Sequence, residues 1–372
     1  MTGTPRLHAQ VVPVILSLLF FCALTWFLYR HDIRGACFWD AHVYARAISA
    51  SMHGGDPYSA QSPHLMFVYA PLVLKMMSTA RLIFPGRALW YTYLALACTA
   101  SVCLPVLISL CLGIRWLSIP VSILISSLLP GFMAEFSLLS GNVAAVLYAM
   151  VLGALLFALR SDRWSPFYAA VVASALIKPP MLAFLLFPFL RGYILPTIAS
   201  TLAVALGFLA QRLFMPALYH RFTQAVYTQL VLTGDMGFGL FAKLPEQLRT
   251  PAPVVFAAGV VAVLWYLRPG GRGNTASRMW LPAVLLTCIL TSPRLLGYDA
   301  QIAMLPALCL LLEIPSTWSD KQRKIAAVLI SVSLLIVCKK TSIYVASLFL
   351  LLALCAGLYR AFSDRLPEGQ QA

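Results

Sequence analysis

Charge is what this chain has least of. Of its 372 residues only 10% are Asp, Glu, Lys or Arg, against 61% hydrophobic. That balance excludes a soluble globule of this length, which would need far more polar surface to cover its core. Acids are the scarcest group, 12 against 27 Lys and Arg, so each acid is the more informative. Strand-length alternating segments are missing, so helices and not a closed barrel must satisfy the backbone. His-x-x-x-His, Cys-x-x-Cys, Walker and Gly-x-Gly-x-x-Gly signatures are missing as well, and nothing points to a resident cofactor. Internal repeats are absent, which disfavours an inverted-repeat transporter. The nine cysteines make no disulfide framework: all but Cys37 lie within or beside apolar runs and read as packing residues. The net charge of +15 does not point to nucleic acid, because the basic residues are spread through short loops, where they read as topology and headgroup charges.

What is present is a succession of apolar runs near the length that crosses a hydrocarbon core as a helix. The first, Val11 to Tyr29, is followed by Arg30-His31-Asp32 without a small-residue cleavage pattern and reads as a retained span. Further spans are expected near 88–112, 117–137, 142–159, 166–178, 180–190, 194–215, 252–267, 280–293, 300–314, 325–338 and 341–359. The fold class is therefore an all-α polytopic membrane protein of roughly 11 to 13 transmembrane helices in one domain, 1–365, ahead of a disordered tail, 366–372. Arg115, Arg160, Arg163, Arg191, Arg268, Lys321 and Arg360 then fall on one side, which the positive-inside rule makes cytoplasmic, as are both termini. This register leaves two large extracytoplasmic loops, 30–87 and 216–250. The stretch 66–84 is apolar enough to be a span, but counting it would invert every later segment, so re-entrant or interfacial helices are expected there.

The first loop concentrates the polar interest. Asp40 stands among Phe38, Trp39, His42 and Tyr44 at the start of an amphipathic segment, Asp40 to Met52, expected to lie along the membrane interface. Two readings stay open for it: a helix cap, or a partly desolvated carboxylate acting as general base or charge stabiliser at the lipid surface. Gly54-Gly55-Asp56-Pro57-Tyr58 reads as a turn, and Phe67-Val68-Tyr69-Ala70-Pro71 re-enters apolar sequence. Farther on, Lys178-Pro179-Pro180 interrupts two half-length apolar runs. Backbone broken at membrane depth must face protein or a watery cavity. A lysine there costs about 2.5 to 3.5 kcal/mol on insertion scales, which argues for a purpose, pairing with a phosphate group, with snorkelling to the interface as the alternative. Asp299 beside Tyr298 is a candidate to orient a hydroxyl or to cap a helix; Glu135 and Asp235 are further acids on the same side. Asp40 and Asp56 could share a divalent ion, although that spacing is a weak metal signal.

Taken in order, Asp40 with Val43-Tyr44, Gly-x-Asp-Pro-Tyr at 54–58 and Tyr69-Ala70-Pro71 resemble glycosyltransferase family 87, also described as DUF2029. Ser140-Gly141-Asn142 is similar to that family's Gly-Gln-x-Asn region, Ile177-Lys178-Pro179 to its Lys-Pro segment, and Thr291-Ser292-Pro293-Arg294 through Tyr298 to its late Ser-Pro…Tyr stretch. The resemblance spans roughly residues 35 to 300. Departures are Asn142 in place of glutamine, Ala144 in place of the second asparagine and Ala70 in place of the first proline of Tyr-Pro-Pro.

The resemblance implies a GT-C fold and transfer of a hexose, mannose in that family, from a polyprenyl-phosphate donor to a lipid- or glycan-linked acceptor outside the plasma membrane. It implies Asp40 as the base. Charge development on the leaving phosphate then calls for cations, with Lys178, Arg294, His220 and Arg221 as candidates. Tyr44, Asp56, Tyr58, Tyr69, Asn142, Tyr298 and Asp299 are the candidate substrate-binding residues. The expected partners are the sugar-lipid donor, the acceptor and membrane lipid, with no nucleic acid. Two other classes compete: a transporter or lipid flippase, suggested by the number of spans and the broken segment at Lys178, and a noncatalytic scaffold of an envelope assembly.

Overall fold

In a chain this apolar the backbone has to bond to itself, and helices do that locally. The computed structural model describes residues 38–59, 65–84, 87–113, 140–229, 241, 244–249, 251–268, 275–292, 294–312, 319–322, 324–325, 328 and 343–363. Among them the regular structure is helical, without a strand. In chain order the elements are α1 (Trp39–Met52), α2 (Pro71–Ile83), α3 (Ala88–Cys111), α4 (Ala144–Ser161), α5 (Ser165–Ile177), a 3-10 turn (Pro179–Leu185), α6 (Leu186–Leu190) and α7 (Ile194–Phe214). They continue with α8 (Pro216–Tyr227), α9 (Glu246–Arg249), α10 (Pro251–Tyr266), α11 (Thr275–Leu290), α12 (Gly297–Leu312) and α13 (Ile343–Ser363). The expected spans at Val11–Tyr29, 117–137 and most of 325–338, with Glu135, Asp235 and the tail 366–372, lie outside the described residues.

Among the described residues three helices, Ala88–Cys111, Ala144–Ser161 and Ile194–Phe214, are long and apolar enough to cross a membrane. That is compatible with a helical membrane protein. Where the apolar side chains point agrees with this. On α7, Leu195 is 78% exposed and Phe214 83%, and Leu202, Leu206 and Leu213 are also exposed. An apolar stripe of that extent is unfavourable in water and at home in hydrocarbon. The α2 segment has 13 residues and ends in exposed Leu82, Ile83 and Phe84. At 1.5 Å per residue it reaches roughly 20 Å, too short to cross a core of roughly 30 Å.

Local chemistry sets the boundaries. Pro71 opens α2 and Pro216 opens α8 from the first turn, where a missing N–H costs nothing. Asp162 closes α4 in a left-handed conformation, φ 56°, which a short polar side chain tolerates. Lys178 ends α5 extended, φ −133° and ψ 95°, because the residue before a proline is pushed out of the helical region. The chain resumes in the 3-10 turn, so the expected interruption at Lys178-Pro179-Pro180 is a real break between two half-length segments.

Two groups of helices build the core. One is α3 against α4, with α5 on α4 and α7 on α5; the other is α11, α12 and α13. The contact of α12 with α3 and α4 joins them, and the 3-10 turn packs on α11. Phe167, Phe184, Phe187, Leu104, Leu152 and Leu155 are fully buried between these elements. Helix α1 packs on α2 beside the N-terminal end of α3.

Candidate functional site

Asp40 occupies the first turn of α1 but is not its cap. Phe38 is the N-cap residue, in a left-handed conformation with φ 59° and ψ 35°, and it makes no side-chain cap bond. That removes the helix-cap reading of Asp40. Its Oδ2 instead accepts a hydrogen bond of 2.8 Å from Nδ2 of Asn142, 102 positions along the chain.

Asn142 is itself held on every side. Its Oδ1 accepts the Ala144 N–H at 2.8 Å, and its own N–H donates to Ser140 Oγ at 3.1 Å. Since a backbone N–H needs an acceptor, this assigns the amide orientation and aims the NH₂ at Asp40. Gly141 makes the turn with φ +62°. A Cβ there would stand 3.0 Å from the Ala41 Cβ and 3.3 Å from the Phe38 ring, so glycine is what lets this loop lie against α1. Its carbonyl accepts from Tyr93 Oη at 2.7 Å, which ties the loop to α3.

Behind the carboxylate stands an aromatic cluster. The Tyr44 and Tyr69 hydroxyls share a bond of 2.8 Å, the Val143 N–H donates to Tyr44 Oη at 3.4 Å, and Tyr58 Oη donates to the Tyr69 carbonyl at 3.0 Å. Tyr44 meets Phe67, Tyr69 and Tyr93 edge-on. Burial among these rings pushes the Asp40 carboxyl up to about 6, with the Asn142 hydrogen bond and then the charges of Arg294 and Lys178 acting in the opposite direction. The same burial, reinforced by the Asp40 charge, raises the Tyr69 hydroxyl well above its ordinary range, so Tyr69 remains a neutral hydrogen-bonding group at physiological pH.

A second centre lies where α5 breaks and α12 begins. Lys178 Nζ forms an ion pair with Asp299 Oδ1, the two side chains being 16% and 3% exposed. Tyr148 Oη donates to the same oxygen at 2.8 Å. Asp299 Oδ2 accepts the Leu296 N–H at 3.1 Å, so Asp299 caps α12, one of its two sequence readings, and it also neutralises the lysine, a pairing the sequence did not offer. Snorkelling is not needed for Lys178, because its charge is met by a buried carboxylate. Arg294 stands two residues before Leu296, and its charge acts on both Asp40 and Tyr69.

Asp40, Asn142, Lys178 and the Arg294–Asp299 segment are thus brought together from four separate stretches of chain. The other candidates are placed differently. His220 and Arg221 lie exposed on α8, and the Arg221 guanidinium is 3.5 Å from Asp56 Oδ1, so Arg221 serves a surface ion pair. Asp56 also accepts the Tyr58 N–H at 3.0 Å, which makes it a turn residue. Tyr44 and Tyr58 are buried with their hydroxyls bonded within the protein. Tyr298 lies in the first turn of α12, with its side chain outside the described residues. Cys98, Cys111 and Cys288 are buried as packing residues, while Cys355 is exposed.

Tyr148 and Tyr93 were not singled out from sequence, although they anchor Asp299 and the Gly141 loop. A lone tyrosine inside the Ala-, Leu- and Val-rich run of α4 was the available signal, since a polar atom in so apolar a helix needs a partner. Comparison of the chain with family models, characterised proteins and solved structures yields no match. The resemblance to glycosyltransferase family 87 therefore rests on the order of its short motifs.

Proposed function

We propose that the chain is a multi-pass plasma-membrane glycosyltransferase of the GT-C kind, transferring a hexose from a polyprenyl-phosphate donor to an extracytoplasmic lipid- or glycan-linked acceptor. One observation carries this reading: a carboxylate raised to about 6 by burial is held in place by Asn142 and sits within the field of two cations. Such a group is basic enough to take a proton near neutral pH yet is still ionised there.

In the transfer, the acceptor O–H gives its proton to Asp40 as its oxygen bonds to the anomeric carbon. The bond from that carbon to the phosphate oxygen breaks, its electron pair leaves with the polyprenyl phosphate, and a single displacement inverts the centre. Arg294 is the residue for the growing phosphate charge, with Lys178 next to it and oriented by Asp299. The donor carries its own membrane anchor, so no nucleotide-binding domain is required. The ends of α4, α5 and α12 that carry Asn142, Lys178 and Asp299 meet at one side of the helix bundle, which supports their assignment to a common, extracytoplasmic face. The opposite ends of α4 and α5 carry Asp162 and Trp164, which meet Tyr193 and Arg191 before α7, in keeping with cytoplasmic basic loops.

The test is reconstitution of the purified chain in nanodiscs with a panel of radiolabelled polyprenyl-phosphate sugars and membrane-extracted acceptors. New glycosidic product is expected, lowered about 100-fold or more in Asp40→Asn. Full activity in that variant would remove Asp40 from the mechanism.

One observation favours a transporter or flippase instead: the Lys178–Asp299 pair is a buried ionisable couple at a broken helix, the arrangement that coupling sites use. Movement of a lipid-linked sugar across proteoliposomes without a new glycosidic bond would select that reading.

A further inference from the structure

Beside Trp90 is a cavity of about 330 Å³ between α1, α2 and the start of α3, and Asp40 is not among the residues that line it. Its wall on α1 is the stripe Ala45, Ile48, Ser49, Met52 and His53, which helical spacing places on one face. Opposite stand Arg81 from the last turn of α2 and Arg87, the residue at the N-cap of α3. The positive end of the 24-residue helix α3 adds to their field. Among the described residues no Asp or Glu lines the cavity. His53 Nδ1 lies 2.7 Å from the Ser49 carbonyl, which can only accept, so Nδ1 carries the proton.

The rim is apolar. Met52, Leu82, Ile83 and Phe84 are exposed beside the cavity, Leu82 to 70%. A cleft with two guanidiniums and a helix N-terminus inside, and bare aliphatic side chains outside, matches a molecule with an anionic head and hydrocarbon tails. The volume is at the low end for ligand sites and suits a headgroup with its tails left on the surface.

We propose that this groove binds the phosphate of an anionic glycerophospholipid, apart from any sugar donor. Arg81 and Arg87 hold the phosphate while the acyl chains run along Met52 and the end of α2. Trp90 links the groove to the Asp40 region: its ring lies 6.4 Å from His42 on α1 and stacks on Tyr93, whose hydroxyl holds the Gly141 loop. Lipid in the groove would clamp α1 against α3.

The test reads lipid alone and needs no transfer activity, so it stands or falls separately from the glycosyltransferase reading. The full chain in nanodiscs is crosslinked with photoactivatable phosphatidylglycerol or phosphatidylcholine, and the adducts are mapped by mass spectrometry. Adducts on α1, α2 and the first turn of α3 are expected with phosphatidylglycerol, reduced about tenfold with phosphatidylcholine and in the Arg81→Gln/Arg87→Gln variant. Leu89→Glu is the second variant: it puts a carboxylate in the groove at the first turn of α3, where an acid suits the helix, and is expected to lose the adducts while keeping the melting temperature. Equal labelling by both lipids, unchanged labelling in Leu89→Glu, displacement by inorganic phosphate alone, or stronger competition by polyprenyl phosphate or an acidic peptide would each overturn the proposal.

Discussion

A carboxylate taken out of water becomes a better base and a less comfortable anion, and both consequences can be measured at Asp40. Its folded-state pKa is raised to about 6 from 3.8, so between those values the folded chain holds a proton that the unfolded chain has released. Folding stability must then fall as pH rises through that window, and the penalty is fully present above about 6. Asp40→Asn removes the titration, so melting temperatures in detergent should lose this part of their pH dependence; an unchanged slope would show that Asp40 is not the group. Transfer activity should have an acidic limb near 6. Asn142→Ala takes away a bond that favours the anion, and the limb should move upward. At the second centre, Lys178→Met leaves Asp299 buried without its cation, bonded to Tyr148 and the Leu296 N–H, and should cost about 3 to 5 kcal/mol. Adding Asp299→Leu removes the stranded charge, so the double variant should recover part of that loss in a denaturation cycle.

Between elements, two glycines separate backbone constraint from simple crowding. Gly141 has φ +62° and faces the Ala41 Cβ at 3.0 Å, a neighbour fixed on α1. Gly141→Ala should therefore cost about 1 to 3 kcal/mol, and transfer should fall with it, because Asn142 shifts relative to α1. Gly207 on α7 would put a Cβ 2.5 Å from the Leu176 Cδ2 of α5, but that atom is the end of a side chain that can turn aside. Gly207→Ala should cost less than about 1 kcal/mol, and Gly207→Val more, as the α5–α7 approach widens. Thermal unfolding in one detergent ranks the three; a larger loss for Gly207→Ala than for Gly141→Ala would contradict this account of the turn.

For the whole molecule, the proposed orientation puts the Asp40 loop outside and the α4–α5 connection inside. In a cysteine-depleted background, Ser59→Cys should react with an impermeant maleimide in intact cells, and Ser161→Cys only after permeabilisation; both positions lie on exposed turns or helix ends. The reverse pattern would invert the topology. It would also move the candidate site to the cytoplasmic face, where a lipid-linked donor has no advantage over a nucleotide sugar.

Hydrophobic run length, prolines and scarce charge were enough to read the helices from sequence: Ala88–Cys111, Ala144–Ser161 and Ile194–Phe214 fall within a few residues of the expected segments, and the break after Ile177 is where Pro179 requires it. Those are local properties, set by propensity and period. Asp40 and Lys178 could be singled out for the same reason, since a charge in an apolar chain is conspicuous by itself. Which charge meets which was not legible. Asn142 reaching Asp40, Asp299 taking Lys178 and Arg221 settling on Asp56 are pairings across 102, 121 and 165 positions. Helix periodicity says which face a side chain is on but not which other helix lies against that face, and only the packed bundle decides it.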